Sequence, residues 1–161
     1  MKVVLDTSAI IYLNDFRMFD ETFTVSDVID EVKDRINTLK LSGINFKVVD
    51  PTESSIKEIK EIAKETGDLE KLSRTDIKIL GLAKENGLTI ISDDYNIQNV
   101  AEKIGINYVS LFSSKITKFI KWGKYCDNCK KFFENKSMCP KCGNQLTRKP
   151  LTEEFIRTKI N

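Results

Sequence analysis

Four carboxylates stand apart from the other acids of the chain by where they fall. Asp6 ends the apolar run Val3-Val4-Leu5, and Asp94 follows the run Thr89-Ile90-Ile91-Ser92-Asp93. Between them, Glu31 and Asp76 each lie near the start of an expected helix. An unpaired acid at the end of a buried strand is costly. Gathered in one pocket, four acids repel and raise one another's pKa unless a cation sits among them. Hard divalent ions that prefer oxygen ligands, Mn²⁺ or Mg²⁺, suit such a site. The chain contains no histidine. Any hydrolysis therefore leans on metal-bound water rather than on an imidazole acid or base.

A second set of chemically capable residues is more compact. All four cysteines lie in the pattern Cys126-x-x-Cys129, nine residues, Cys139-x-x-Cys142, the last followed by Gly143. Two such pairs supply four thiolates to a closed tetrahedral Zn²⁺ site, with no position left open for a reacting water. A ribbon of about 25 residues buries too little apolar surface to fold alone, so the metal would supply folding energy. Disulfides are disfavoured in a reducing compartment.

The elements that position these groups follow from hydrophobic spacing. Residues 2–6 read as a short buried strand, with Thr7-Ser8 offering a cap to a helix over 9–14. A strand at 23–25 leads into a helix from Ser26 or Asp27 to Lys40, and 45–49 form a third strand. Ile56, Ile59, Ile62 and Ala63 have helical spacing over 54–65. Ser73-Arg74-Thr75-Asp76 opens a helix to Glu85, with Gly87 as its cap. Strands at 88–92 and 107–111 flank a helix over 95–103, and a terminal helix is expected over 152–159. Alternating strands and helices imply an α/β fold with a parallel five-stranded sheet covered on both faces. Ligands of such sheets bind beyond the carboxyl ends of the strands, where Asp6 and Asp94 fall.

With 161 residues and 40% hydrophobic content, the chain holds one ordinary domain and a small appendage. No run approaches the roughly 18 apolar residues of a membrane span, and Asp6 arrives too early for a signal peptide. A cytoplasmic protein without membrane association is expected. The net charge of +2 is unevenly spread. Residues 1–120 carry 16 basic and 20 acidic groups, a net of −4, whereas residues 121–161 carry 10 and 4, a net of +6. An acidic body with a basic tail pairs a cation site with a surface that attracts polyanions.

Taken in order, Leu5-Asp6-Thr7-Ser8, Val28-x-x-Glu31-Val32, Leu72-Ser73-x-x-Asp76 and Ser92-x-Asp94 resemble the motifs of PIN-domain ribonucleases. With the stretch Ser92-Asp93-Asp94-Tyr95-Asn96-Ile97-Gln98-Asn99-Val100 and the four-cysteine ribbon, the chain is similar to the Nob-type endonucleases of archaea and eukaryotes. These mature the 3′ end of small-subunit ribosomal RNA. The resemblance implies a three-layer PIN domain over 1–112, a linker over 113–121, a zinc ribbon over 122–146 and a tail over 147–161. It implies an endonuclease for single-stranded RNA in which Asp6, Glu31, Asp76 and Asp94 hold Mn²⁺ or Mg²⁺. Thr7, Ser8, Ser92 and Asp93 are then accessory. The partners it implies are precursor small-subunit rRNA and the assembling small ribosomal subunit, and pairing into a homodimer is compatible with the family.

Each acid also has a plainer reading. Asp76 with Ser73 makes a capping box, and Glu31 beside Asp30 and Asp34 fits an exposed helix face. In the basic segment, Lys121, Lys124, Lys130, Lys131, Lys141, Arg148 and Lys149 suit RNA phosphates, and Trp122 and Tyr125 suit base stacking or packing. Two competing functions remain: a toxin-type PIN ribonuclease, which usually lacks a ribbon, and an assembly factor that binds RNA without cutting it.

Overall fold

The computed structural model describes residues 1–35, 41, 43–111, 118–133 and 136–155. Five short strands, β1 (Lys2–Leu5), β2 (Glu21–Thr24), β3 (Phe46–Val48), β4 (Thr89–Ile91) and β5 (Tyr108–Val109), form a parallel sheet in the order β3-β2-β1-β4-β5. The helices are α1 (Thr7–Tyr12), α2 (Ser26–Arg35), α3 (Glu53–Thr66), α4 (Arg74–Asn86) and α5 (Tyr95–Ile104). The continuous apolar runs of β1 and β4 become its centre: Val3, Val4, Leu5, Ile90 and Ile91 are all buried. Runs without alternation are what a sheet covered on both faces requires. Helix α4 is apolar on more than one side, with Ile77, Ile79, Leu80, Leu82 and Ala83 all buried, as befits a helix enclosed by the rest of the body.

The strand order places a switch point between β1 and β4. The chain winds outward from β1 through β2 to β3, then returns to β4 on the other side of β1. The loops after β1 and β4 therefore leave a crevice between them at the carboxyl ends, where open α/β sheets take ligands. Asp6 and Ser92 to Asp94 occupy those two loops. The Asp6 amide donates to the Ile91 carbonyl at 3.4 Å, which ties them together.

Several boundaries differ from expectation. Asp6, not Thr7 or Ser8, caps α1, its side chain accepting from the Ala9 amide. The expected extension of α2 to Lys40 falls on residues 36–40, outside the described residues. Residues 118–121 of the expected linker and 147–155 of the expected tail are strand instead, the linker's 113–117 lying outside the described residues: β6 (Lys118–Cys126), β7 (Lys131–Phe133) and β8 (Thr147–Phe155) form an antiparallel sheet in the order β7-β6-β8. The expected terminal helix over 152–159 is overturned as far as Phe155, which lies in β8. Long-range pairing with β6 outweighs the local helical preference of Thr152-Glu153-Glu154. Pro150 is tolerated because β8 is an edge strand. Opposite it the ladder shifts register between Lys121 and Trp122, which pair with Thr152 and Pro150.

Candidate active site

The crevice beyond β1 and β4 is a cleft of about 280 Å³. Its lining includes Asp6, Glu31, Asp76 and Asp94, so the four acids singled out from the sequence meet there. Each is held by its own element. Asp6 is 7% exposed, and its Oδ1 accepts from the Ala9 amide at 2.6 Å and the Ser8 hydroxyl at 2.8 Å. Asp94 caps α5, its Oδ1 accepting from the Asn96 amide at 2.6 Å. Its own amide donates to Ser92 Oγ at 3.1 Å. Asp76 does close the capping box: its Oδ2 accepts from the Ser73 amide at 2.7 Å, and its amide donates to Ser73 Oγ at 3.1 Å. The cap and the cleft are thus not alternatives. One carboxylate oxygen secures the helix start, and a carboxylate has lone pairs to spare on the other.

Glu31 is held differently. Its Oε2 accepts from the Thr7 hydroxyl and its Oε1 from the Thr75 hydroxyl, both at 2.6 Å. Thr7 therefore acts on Glu31 rather than as a cap. Thr75 is a residue that sequence reasoning missed; its only signal was adjacency to Asp76. Asp93, expected as an accessory acid, turns toward β5. Its Oδ1 accepts from the Ser110 hydroxyl and from the Leu111 amide at 3.0 Å, which anchors the chain leaving the sheet.

The electrostatics are those of an acidic site that needs a cation. Burial raises the Asp6 carboxyl above the ordinary carboxylate range, against hydrogen bonds from Ser92, Ala9 and Ser8. Burial also raises Asp76, and the charges of Asp94 and Asp6 add to the effect. Buried acids pushed upward in a shared negative field are the arrangement a divalent ion relieves. The carboxylates are not drawn as tight as the thiols: among the described residues, only the four cysteine sulphurs all lie within 4.8 Å of one another. A looser carboxylate set fits Mg²⁺ or Mn²⁺, which keep several waters between themselves and the protein.

The cysteine cluster does have the dimensions of a closed metal site. Cys126 and Cys142 sulphurs are 3.5 Å apart, and those of Cys129 and Cys139 are 3.8 Å apart. Metal–sulphur bonds of about 2.3 Å in a tetrahedron put sulphurs about 3.8 Å apart. The two knuckles repeat one backbone design. Lys130 N donates to Cys126 O at 2.8 Å, and Gly143 N to Cys139 O at 2.9 Å. Both residues have positive φ, 55° and 74°. The Cys129 and Lys141 amides donate to the Cys126 and Cys139 sulphurs at 3.3 and 3.4 Å, as suits sulphurs that ligate a metal.

The ribbon is docked on the body by one face of its sheet. Asp68, fully buried after α3, accepts from Asn99 Nδ2 at 2.6 Å and pairs with the Arg148 guanidinium. Arg148 lies 4.3 Å from the centre of the Trp122 ring. Gly67, at φ 77°, lets the Trp122 backbone approach: an added Cβ would stand 2.2 Å from its carbonyl oxygen. Lys124 pairs with Glu70. Three of the residues expected to face RNA, Trp122, Lys124 and Arg148, are therefore engaged in seating the ribbon. Lys149 pairs with Asp127 and lies 4.2 Å from the Tyr125 ring centre. Lys130, Lys131 and Lys141 are exposed, and the Lys121 side chain lies outside what is described.

A parallel α/β body with four acids at its switch point defines a class, and the comparisons agree with it. The family model for the PIN domain of ribonuclease matches residues 3–85. A crystal structure of a Pyrobaculum aerophilum protein shares the fold at a TM-score of 0.50 and 18% identity, covering 68% of this chain and 92% of that one. The chain belongs to the PIN-domain ribonuclease family. Over both body and ribbon it is similar to endoribonuclease Nob1 of Archaeoglobus fulgidus, with 38% identity across 88% of this chain and 87% of the relative. It is also similar to a protein named ribonuclease VapC1 from Thermoplasma acidophilum, with 35% identity across 92% of this chain and 78% of the relative. Among the described residues no helix is long and apolar enough to cross a membrane.

Proposed function

We propose that this protein is a cytoplasmic, metal-dependent endoribonuclease that cuts single-stranded precursor rRNA at the 3′ end of the small-subunit rRNA, on the assembling subunit. The observation that carries the reading is the meeting of Asp6, Glu31, Asp76 and Asp94 in one cleft, beside a four-thiol ribbon in a chain similar to Nob1 along nearly its whole length. Asp6, Glu31, Asp76 and Asp94 would hold Mn²⁺ or Mg²⁺, and the four cysteines Zn²⁺. When bound, the ion in the acidic cleft supplies an activated water and neutralises charge on the phosphate. The chain's own residues prepare the place. Ser8 and the Ala9 amide aim Asp6, the α4 cap aims Asp76, and Asn96 aims Asp94. Thr7 and Thr75 hold Glu31 stationary between α1 and α4. The products expected are a 5′-phosphate and a 3′-hydroxyl, whereas attack by the RNA's own 2′-hydroxyl would leave a cyclic phosphate.

The relative named VapC1 matches 92% of this chain, so the ribbon alone does not separate a toxin-type ribonuclease from an rRNA-processing one. Substrate choice does. Wild-type protein with manganese is expected to cut an RNA spanning the small-subunit 3′ junction, and Asp6→Asn to abolish cutting while the circular dichroism spectrum is retained. Equal cleavage by the two proteins would remove the mechanism. Cleavage of other RNAs in preference to the junction would favour the toxin-type reading.

A further inference from the structure

The cleft also contains a cation that the reading above does not use. Arg35, at the last position of α2, lines it together with the four acids. It stands one turn beyond Glu31 on the same helix, the spacing at which a glutamate and an arginine ordinarily pair. That pair is not formed here: the Glu31 oxygens accept instead from the Thr7 and Thr75 hydroxyls. Among the described residues the Arg35 side chain has no hydrogen bond, ion pair or ring contact. Among them, too, no other basic residue lines the cleft. Four carboxylates with one divalent ion would still carry a net charge of −2, which repels a polyanion at the place it must enter. A guanidinium at that rim offers a planar fork matched to phosphate oxygens.

We propose that Arg35 is a substrate-positioning residue that binds a phosphate of the single-stranded RNA next to the one being cut. This rests on the ribonuclease reading. A phosphate contact of this kind carries no sequence information, so it acts equally on all RNAs.

The decisive experiment measures binding of a single-stranded RNA oligonucleotide without ribosomal sequence to the full-length Asp6→Asn protein in magnesium, at several salt concentrations. Arg35→Ala in that background is expected to bind about tenfold more weakly at ~0.1 M salt. The slope of log affinity against log salt should fall by about 0.7, one phosphate's worth for a single strand. Arg35→Lys should restore the slope but not all of the affinity. Lys33→Ala removes a charge from the same helix outside the cleft and should leave the slope unchanged. In the otherwise wild-type enzyme, Arg35→Ala should raise KM about tenfold with kcat within about twofold of its original value. Unchanged affinity and slope would overturn the proposal, as would an equal loss in Lys33→Ala, or a fall in kcat with KM preserved. If the wild-type protein failed to cut the junction RNA, the functional reading would fall, yet the binding slope would still decide the role of Arg35.

Discussion

Arg148→Met should undock the ribbon, because it leaves a buried carboxylate without its counter-charge. Asp68 is fully buried and the Arg148 side chain is 22% exposed, so the pair is only lightly screened by solvent. Removing one partner of such a pair costs about 3 kcal/mol or more, here moderated by the surviving bond from Asn99. For a chain of this length that corresponds to a fall in Tm of about 6 to 12 °C. Methionine keeps the length of the stem, so lost charge dominates over lost packing. The chain carries a single tryptophan, Trp122, which lies beneath the guanidinium; its fluorescence reports docking directly. The pH dependence has a definite sign. Burial raises the Asp68 carboxyl, outweighing the bonds from Asn99 and Arg148. The folded chain therefore holds this proton more tightly than the unfolded one. The group's contribution is most favourable below the unfolded pKa and declines as pH rises through the folded one. Without Arg148 the carboxyl rises further, so the variant's deficit should be largest near neutrality and shrink toward about pH 4. Adding Asp68→Asn should recover most of the loss. A cost below about 1 kcal/mol with unchanged tryptophan emission, or a deficit that grows on acidification, would refute the reasoning.

Thr75→Val keeps the side chain's volume but removes a Glu31 donor; orienting contacts of this kind are worth about 10- to 100-fold in activity, so kcat/KM should fall by at least about tenfold with little change in Tm. Gly67→Ala places a Cβ 2.2 Å from the Trp122 carbonyl oxygen at φ 77°. It should cost more than about 2 kcal/mol in chemical denaturation and shift the Trp122 emission. Manganese should raise Tm more at pH 7 than at about pH 5, because burial raises Asp6 and Asp76. In the metal-free protein these two acids favour the folded state most below their unfolded pKa. That contribution declines as pH rises through the folded values, and bound cation reverses the loss. An equal manganese effect at both pH values would contradict the acidic-cleft assignment.

Much of this was legible without coordinates, for local reasons. The apolar stretches at 3–5 and 90–91 identify buried parallel strands, and a carboxylate just beyond such a stretch lies at the sheet's carboxyl edge, where ligands bind. The cysteine spacing brings four sulphurs together because each knuckle is a short-range backbone turn. Ser73 and Asp76 announce a helix start through contacts three residues apart. All of these depend on neighbours in the chain.

Tertiary structure alone decided the partners of residues distant in sequence. Nothing near Glu31 indicates that Thr7, 24 residues away, and Thr75, 44 residues away, donate to its oxygens, or that Arg35 lines the same cleft. Asp93 and Asp94 are adjacent and chemically identical. The strand's end turns one into the cleft and the other toward Ser110. Arg148 reads as a surface cation until Asp68, 80 residues earlier, is found buried beneath it. The strand pairing of residues 147–155 likewise needed β6 beside it. Side-chain type and short-range periodicity set what each segment is able to do. Which charge meets which partner depends on loop closure and burial across the whole fold, and no local spacing encodes that.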